Sequence, residues 1–272
     1  MIWLSFCFGR QDNENYRKIS HKNVIFEFVK RKRLISAAAI AALALLFWAA
    51  FLRVPAAERE LARLDRLCAR RKWERMVQIT ENRPPRSTEA MCYRNLALSI
   101  LGRLDGDSAR IASFGPRALV PEARSSSWSN RIEMEILYWT GVVNISRRFA
   151  FEAQMAQGAR PVEPRAQWRI AESDIVLGLY EDARKHLHVL EKCPLHRRRA
   201  IRTAELLGSE EAIARHPEFG LVRSRMPRES DMFFSEEDFG LLMNLLCTEN
   251  PGNNVAAQYL RAWETANKNI GK

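Results

Sequence analysis

Nineteen consecutive residues, Leu34 to Leu52 (LISAAAIAALALLFWAAFL), contain no charge, no proline and no glycine. At about 1.5 Å of rise per residue, such a run crosses the ~30 Å hydrocarbon core of a bilayer as one helix. Lys30-Arg31-Lys32-Arg33 stops it on one side and Arg53 on the other, while Trp48 and Phe51 stand near one end, where interfacial aromatics collect. A buried helix of a soluble protein rarely runs this long with a single serine as its polar residue. Val54-Pro55-Ala56 resembles a cleavage site, but a 33-residue charged lead fits an anchor better than a signal peptide. The expected organisation is a basic N-terminal segment over 1–33, a transmembrane helix over 34–52 and a folded domain over 54–272.

The charge distribution bears on topology and partners. Residues 1–53 hold nine Lys/Arg against three Asp/Glu, and the remaining 219 residues hold 34 against 29, so over half of the net +11 lies around the apolar run. Bases in that position orient a span rather than read nucleic acid. The KRKR cluster places the N-terminal side in the cytoplasm and the large domain outside it, opposed by Arg59, Arg63 and Arg66 beyond the span. Five widely spread cysteines without a C-x-x-C pair suit buried thiols better than a disulfide framework or a zinc ribbon.

Beyond Arg53 the chain alternates amphipathic stretches with short breaks. Ala57, Leu61, Leu64 and Cys68 fall at helical spacing, as do Tyr93, Leu96, Ile100 and Leu104, then Trp168, Ala171 and Ile175, then Tyr180, Ala183, Leu187 and Leu190. Breaks come at Pro84-Pro85, Gly115-Pro116, Pro161, Pro164, Pro194 and Pro251-Gly252. No run alternates apolar and polar residues, so the fold class is all-α. Over 168–194, Gly178 through Ala183 with Leu187 and Pro194 resembles the second half of a tetratricopeptide repeat. There a small residue lets two helices approach, an aromatic fills the gap and proline ends the second helix. Gly102 and Gly141 precede Gly178 at 39 and 37 residues, and Trp73 takes a place like that of Tyr180. Candidate repeat-packing residues are Trp73, Tyr93, Gly102, Gly141, Trp168, Ala171, Gly178, Tyr180, Ala183 and Leu187. The domain is therefore read as irregular helical hairpins whose first helices expose a concave surface.

Little here reads as chemistry. His186, His188, Cys193 and His196 include metal-capable groups, but two histidines at i,i+2 point apart on a helix and Pro194 interrupts it. A polar helix end is the simpler reading. Arg197, Arg198, Arg199 and Arg202 form a candidate patch for an anion or an acidic partner. Glu236-Glu237-Asp238 after Ser235 reads as an acidic helix start, and Phe233, Phe234 and Phe239 as core. G-x-S-x-G, H-E-x-x-H and the phosphate-loop and dinucleotide glycine motifs are missing from the sequence. No catalytic, cofactor-binding or metal-binding residue is assigned, and no cofactor is expected.

Arg71-Lys72-Trp73-Glu74-Arg75, Met91 through Leu98, Phe149 through Ala153, Asp231-Met232-Phe233-Phe234 and Asn250-Pro251-Gly252-Asn253 give the chain a likeness. Together they resemble a bacterial family of unknown function in which membrane spans precede a tetratricopeptide-like C-terminal domain. The likeness covers 34–270 and brings no catalytic residue. It implies a bacterial inner-membrane protein, for which the apolar run gives one span and the KRKR cluster a periplasmic C-terminal domain. Such proteins carry several spans upstream, whereas this chain has one and the apolar stub Met1–Phe8, so a shortened member is expected. The expected role is a non-catalytic scaffold held at the lipid bilayer and binding a protein or peptide. The alternatives are a basic cytoplasmic module for RNA or an anionic membrane surface, and an accessory subunit of a membrane enzyme or transporter.

Overall fold

The computed structural model describes residues 30–33, 35–49, 53–122, 128–156, 162–228 and 239–268. The residues 231–238 singled out above lie outside this set, as do Pro161, Leu34 and most of the basic segment. The chain divides into two compact units, 1–56 and 57–272. Of the first, one helix is described, α1 (Lys30–Ala49). Its described part takes in the basic cluster, because nothing in KRKR breaks a helix. Its apolar side chains are exposed, Ile40 at 68% and Phe47 at 77%.

Among its described residues the second unit is wholly helical, with no strand. α2 (Ala56–Ala69), α3 (Trp73–Asn82), α4 (Thr88–Ile100) and α5 (Ser108–Phe114) come first, with short 3-10 turns at Leu104–Asp107 and Pro116–Ala118. α6 (Ser129–Thr140), α7 (Val143–Met155), α8 (Pro164–Leu177) and α9 (Tyr180–Glu191) follow, each packed on the next. α10 (Arg197–Leu206), α11 (Glu210–Arg215), α12 (Phe219–Arg225), α13 (Phe239–Glu249) and α14 (Asn254–Lys268) complete it. Local chemistry explains the ends. Ser87 accepts a hydrogen bond from the amide of Ala90 at the start of α4, and Ser209 from that of Ala212 at the start of α11. Pro164 begins α8, where its missing N–H costs nothing, and Glu163 accepts from the Ala166 amide.

Four turns between helices are built alike. At Arg71, Gly102, Gly141 and Gly178 the backbone is left-handed, with φ of 56°, 72°, 100° and 78°. In each, that residue's amide reaches the carbonyl three residues back, and the next amide the carbonyl five back. This is the Schellman arrangement, which satisfies the last carbonyls of a helix and reverses the chain. Glycine suits it because a Cβ is strained there. The first copy uses Arg71 instead, so the sequence spacing of glycines hides one hairpin.

The first helices of the two central hairpins are closed on every side. In α6 all of Ile132 to Thr140 is buried, and in α8 all of Ala166 to Val176. α7 and α9 cover one side, and α4, α12 and α14 lie against the rest. This corrects the expectation of an open concave surface: the chain's own C-terminal helices fill it. Tyr93, Trp168, Ala171, Ala183 and Leu187 are buried. Trp73 and Tyr180 each open the second helix of a hairpin. Tyr180 is half-buried and packs against the core, while its hydroxyl donates to Glu210 and accepts from Arg223.

Candidate functional site

On α8, Arg165, Arg169 and Glu172 recur at i, i+4 and i+7 and so share one face. That spacing on an isolated helix marks a solvated stripe; here the stripe points inward. Arg169, with no exposed surface, holds Glu135 of α6 by two hydrogen bonds of 3.0 and 2.7 Å. Arg165 reaches the same carboxylate at 2.7 Å and Asp65 of α2 at 3.1 Å. Arg71, delivered by its left-handed turn, bridges Glu172 at 3.1 Å and Glu218 at 2.5 Å. Arg199 joins Glu172 at 2.5 Å, and Arg131 joins Glu163 at 3.2 Å. Five guanidinium groups thus meet five carboxylates, and the cluster carries no net charge.

Aromatic rings line it. The Arg169 guanidinium lies 3.6 Å from the centre of the Tyr138 ring and that of Arg199 4.0 Å from the centre of Trp168. Tyr93 donates to Asp65 at 3.0 Å. Burial alone would raise the pKa of Glu135, but Arg165, Arg169 and Arg71 together hold it well below the usual carboxylate range. Glu172 is lowered in the same way, with Arg71 the leading cation. Cys68 donates its thiol to Glu135 at 3.3 Å, and burial, then Glu135, push its pKa well up, so it is a protonated thiol and a poor nucleophile. Each ionised group here faces a partner of opposite sign. The arrangement ties α2, α6, α8, α10 and α12 together.

A second buried charge lies further along α8. Asp174 has a fully buried side chain in ion-pair contact with Arg147 of α7, and His186 of α9 stands 3.7 Å away. Burial pushes its pKa up to about 6, despite Arg147. The folded state therefore prefers the neutral acid. That preference stabilises the fold fully below the unfolded value near 4 and is lost as pH rises through about 6. Asp174→Asn should accordingly gain on the parent by about 2 kcal/mol between pH 4 and pH 7 in denaturant titrations. A pH-independent difference between the two would remove this account of Asp174.

The residues proposed from sequence are dispersed. Arg197, Arg198 and Arg202 are exposed on α10, but Arg199 is not part of a free patch, since Glu172 and Trp168 hold it. His196 is not an idle helix end: it accepts from the Trp168 indole at 3.0 Å. His186 faces Gln167 at 2.8 Å, and His188 pairs with Glu191 at 3.4 Å. Among the described residues no three His, Cys, Asp or Glu side chains gather as a metal site. The central cluster went unread because Arg165/Arg169/Glu172 matches a solvated stripe. The available signal was its setting, in a helix whose other faces carry Trp168, Ile170, Ala171 and Ile175.

A protein-family model described as a family of unknown function, DUF6057, matches residues 5–272. No curated protein and no solved structure matches the chain.

Proposed function

Because the chain belongs to the DUF6057 family, a family of unknown function, we propose a role from the molecule itself: a membrane-tethered helical-hairpin scaffold of tetratricopeptide-like build. The observation that carries this reading is α1, a twenty-residue helix whose described apolar side chains are exposed. Leaving Ile, Leu, Phe and Trp side chains in water forfeits roughly 1.5–3 kcal/mol each, which a bilayer recovers. The Schellman-linked hairpins and the charge cluster support a rigid platform rather than a substrate cleft. The exposed Arg197, Arg198 and Arg202 favour a second reading, contact with RNA or an anionic membrane surface. The basic cluster at the N-terminal end of α1 argues against it, since on the positive-inside rule it favours a domain outside the cytoplasm.

In cells expressing the full chain, the protein should stay with membranes washed in alkaline carbonate. A Leu43→Arg, Leu46→Arg variant should release into the wash, since each arginine near the middle of a span costs about 2.5–3.5 kcal/mol. Release of the unaltered chain would refute the anchor. A reporter fused after Lys272 that is active only in the cytoplasm would instead promote the basic-surface reading.

A further inference from the structure

The groove along α6 and α8 is filled by a short segment of the same chain, α12, and the way it is held describes a ligand. Glu218, just before α12, supplies the carboxylate that Arg71 takes at 2.8 and 2.5 Å, with Arg169 3.9 Å away. Phe219 and Val222 are the buried apolar side chains of α12, while Leu221 and Ser224 face outward. At the far end, Arg223 donates to the carbonyls of Ile175 and Val176, 2.8 Å each, at the end of α8. Arg225 donates to the carbonyl of Trp139 at 2.9 Å, at the end of α6. Guanidinium groups at one end of the groove thus meet an acid, and the carbonyl-rich ends of two helices meet bases.

We propose that this groove is a docking site for a partner's short helix and that α12 is the chain's own occupant, displaced when the partner binds. The partner is an amphipathic segment with an acidic residue, apolar residues one and four places later, and arginines five and seven places later. This deepens the scaffold reading and rests on it. Charge complementarity argues for the acid: without Glu218 the cluster keeps five guanidinium groups against four carboxylates, and a buried excess charge demands an anion. The size of α12 argues for exchange. Seven residues are too few to hold a helix unaided, two buried apolar side chains give it a small apolar hold, and the bonds from Asn250 and Asn253 to its last carbonyls are ones that the backbone of a partner helix would accept in turn.

The test uses the unaltered full chain in detergent micelles and, as probe, a synthetic peptide of residues 216–226. Amide hydrogen exchange is followed in α12, α6 and α8 as the peptide is added in excess. Exchange in the chain's own α12 should quicken at least five-fold at saturation while α6 and α8 stay as they were. A peptide with lysine in place of its glutamate should have no effect. In Glu218→Lys, whose α12 is repelled by Arg71 and Arg169, half-saturation should need at least ten-fold less peptide. Unchanged α12 exchange in the parent chain under saturating peptide overturns the proposal, whether or not that variant folds. A fixed α12 in a chain that resists carbonate would sink the docking site and leave the anchored scaffold standing. Displacement in a chain that carbonate releases would do the reverse.

Discussion

Glu135→Gln should destabilise the helical unit by about 3–5 kcal/mol, read as a lower urea midpoint for the full chain in micelles. Glutamine keeps the shape and removes the charge. Arg169, with no exposed surface, and Arg165 would then each lose the carboxylate they share at 2.7 Å. The cost comes less from the lost attraction than from stranding guanidinium groups where water cannot reach them. The exposed pair Arg148–Glu152 serves as the control. Its arginine is 61% exposed, so Glu152→Gln should cost at most about 0.5 kcal/mol. Glu135→Leu combined with Arg169→Met should cost less than the sum of the single changes, because no charge of that pair is then left alone. Equal, small effects of Glu135→Gln and Glu152→Gln would mean the cluster is hydrated in solution. The same groups set the acid limit. Glu135 and Glu172 have folded pKa values below their unfolded ones, so their stabilisation is present above pH ~4.5 and lost as pH falls, opposite in sign to Asp174.

Gly141→Ala and Gly178→Ala make the second comparison, because the two turns match in hydrogen bonding and in the sign of φ. A methyl at Gly178 would meet open space, so its cost is the left-handed backbone alone, about 1–2 kcal/mol. At Gly141 the same methyl would lie 2.6 Å from the carbonyl carbon of Arg225. Backbone cannot move aside as a flexible side chain does. Accommodating the methyl means pushing the end of α12 away and losing the bonds from Asn253 to the carbonyls of Thr140 and Arg225, 2.7 and 3.0 Å. The expected loss is at least about 3 kcal/mol, from strain and stranded buried carbonyls together. Thermal unfolding of the two variants side by side decides it. Equal shifts would mean that α12 yields to the methyl at little cost.

What could be read from sequence followed from local rules. Residues 35–49 of the apolar run lie in α1, and Gly102, Gly141 and Gly178 lie at helix ends because a left-handed cap selects glycine there. Helix and turn spacings are properties of neighbouring residues. The contacts that were not legible join residues far apart: Arg71 to Glu218 across 147 positions and Arg71 to Glu172 across 101. Nothing within a turn of either residue reports such a partner. Arg71 was hidden twice, once as an ordinary surface base and once as a turn residue that is not glycine. Trp73 and Tyr180 match in register, yet Trp73 meets Trp139 edge-on at 5.2 Å whereas Tyr180 turns to Glu210 and Arg223. Register alone does not fix a side chain's partners.

The bond from Arg71 to Glu218 also bears on how such a chain can evolve. Open solenoids lengthen and shorten by duplicating or dropping a unit, since each unit touches only its neighbours. Here the first turn of the helical unit is fastened to a helix near its far end. A duplicated hairpin inserted between them would pull that fastening apart, and a lost one would leave it without a mate. A change in repeat number would therefore break this bond, whereas changes in loops and on the outward faces of α7, α9 and α10 would leave it intact.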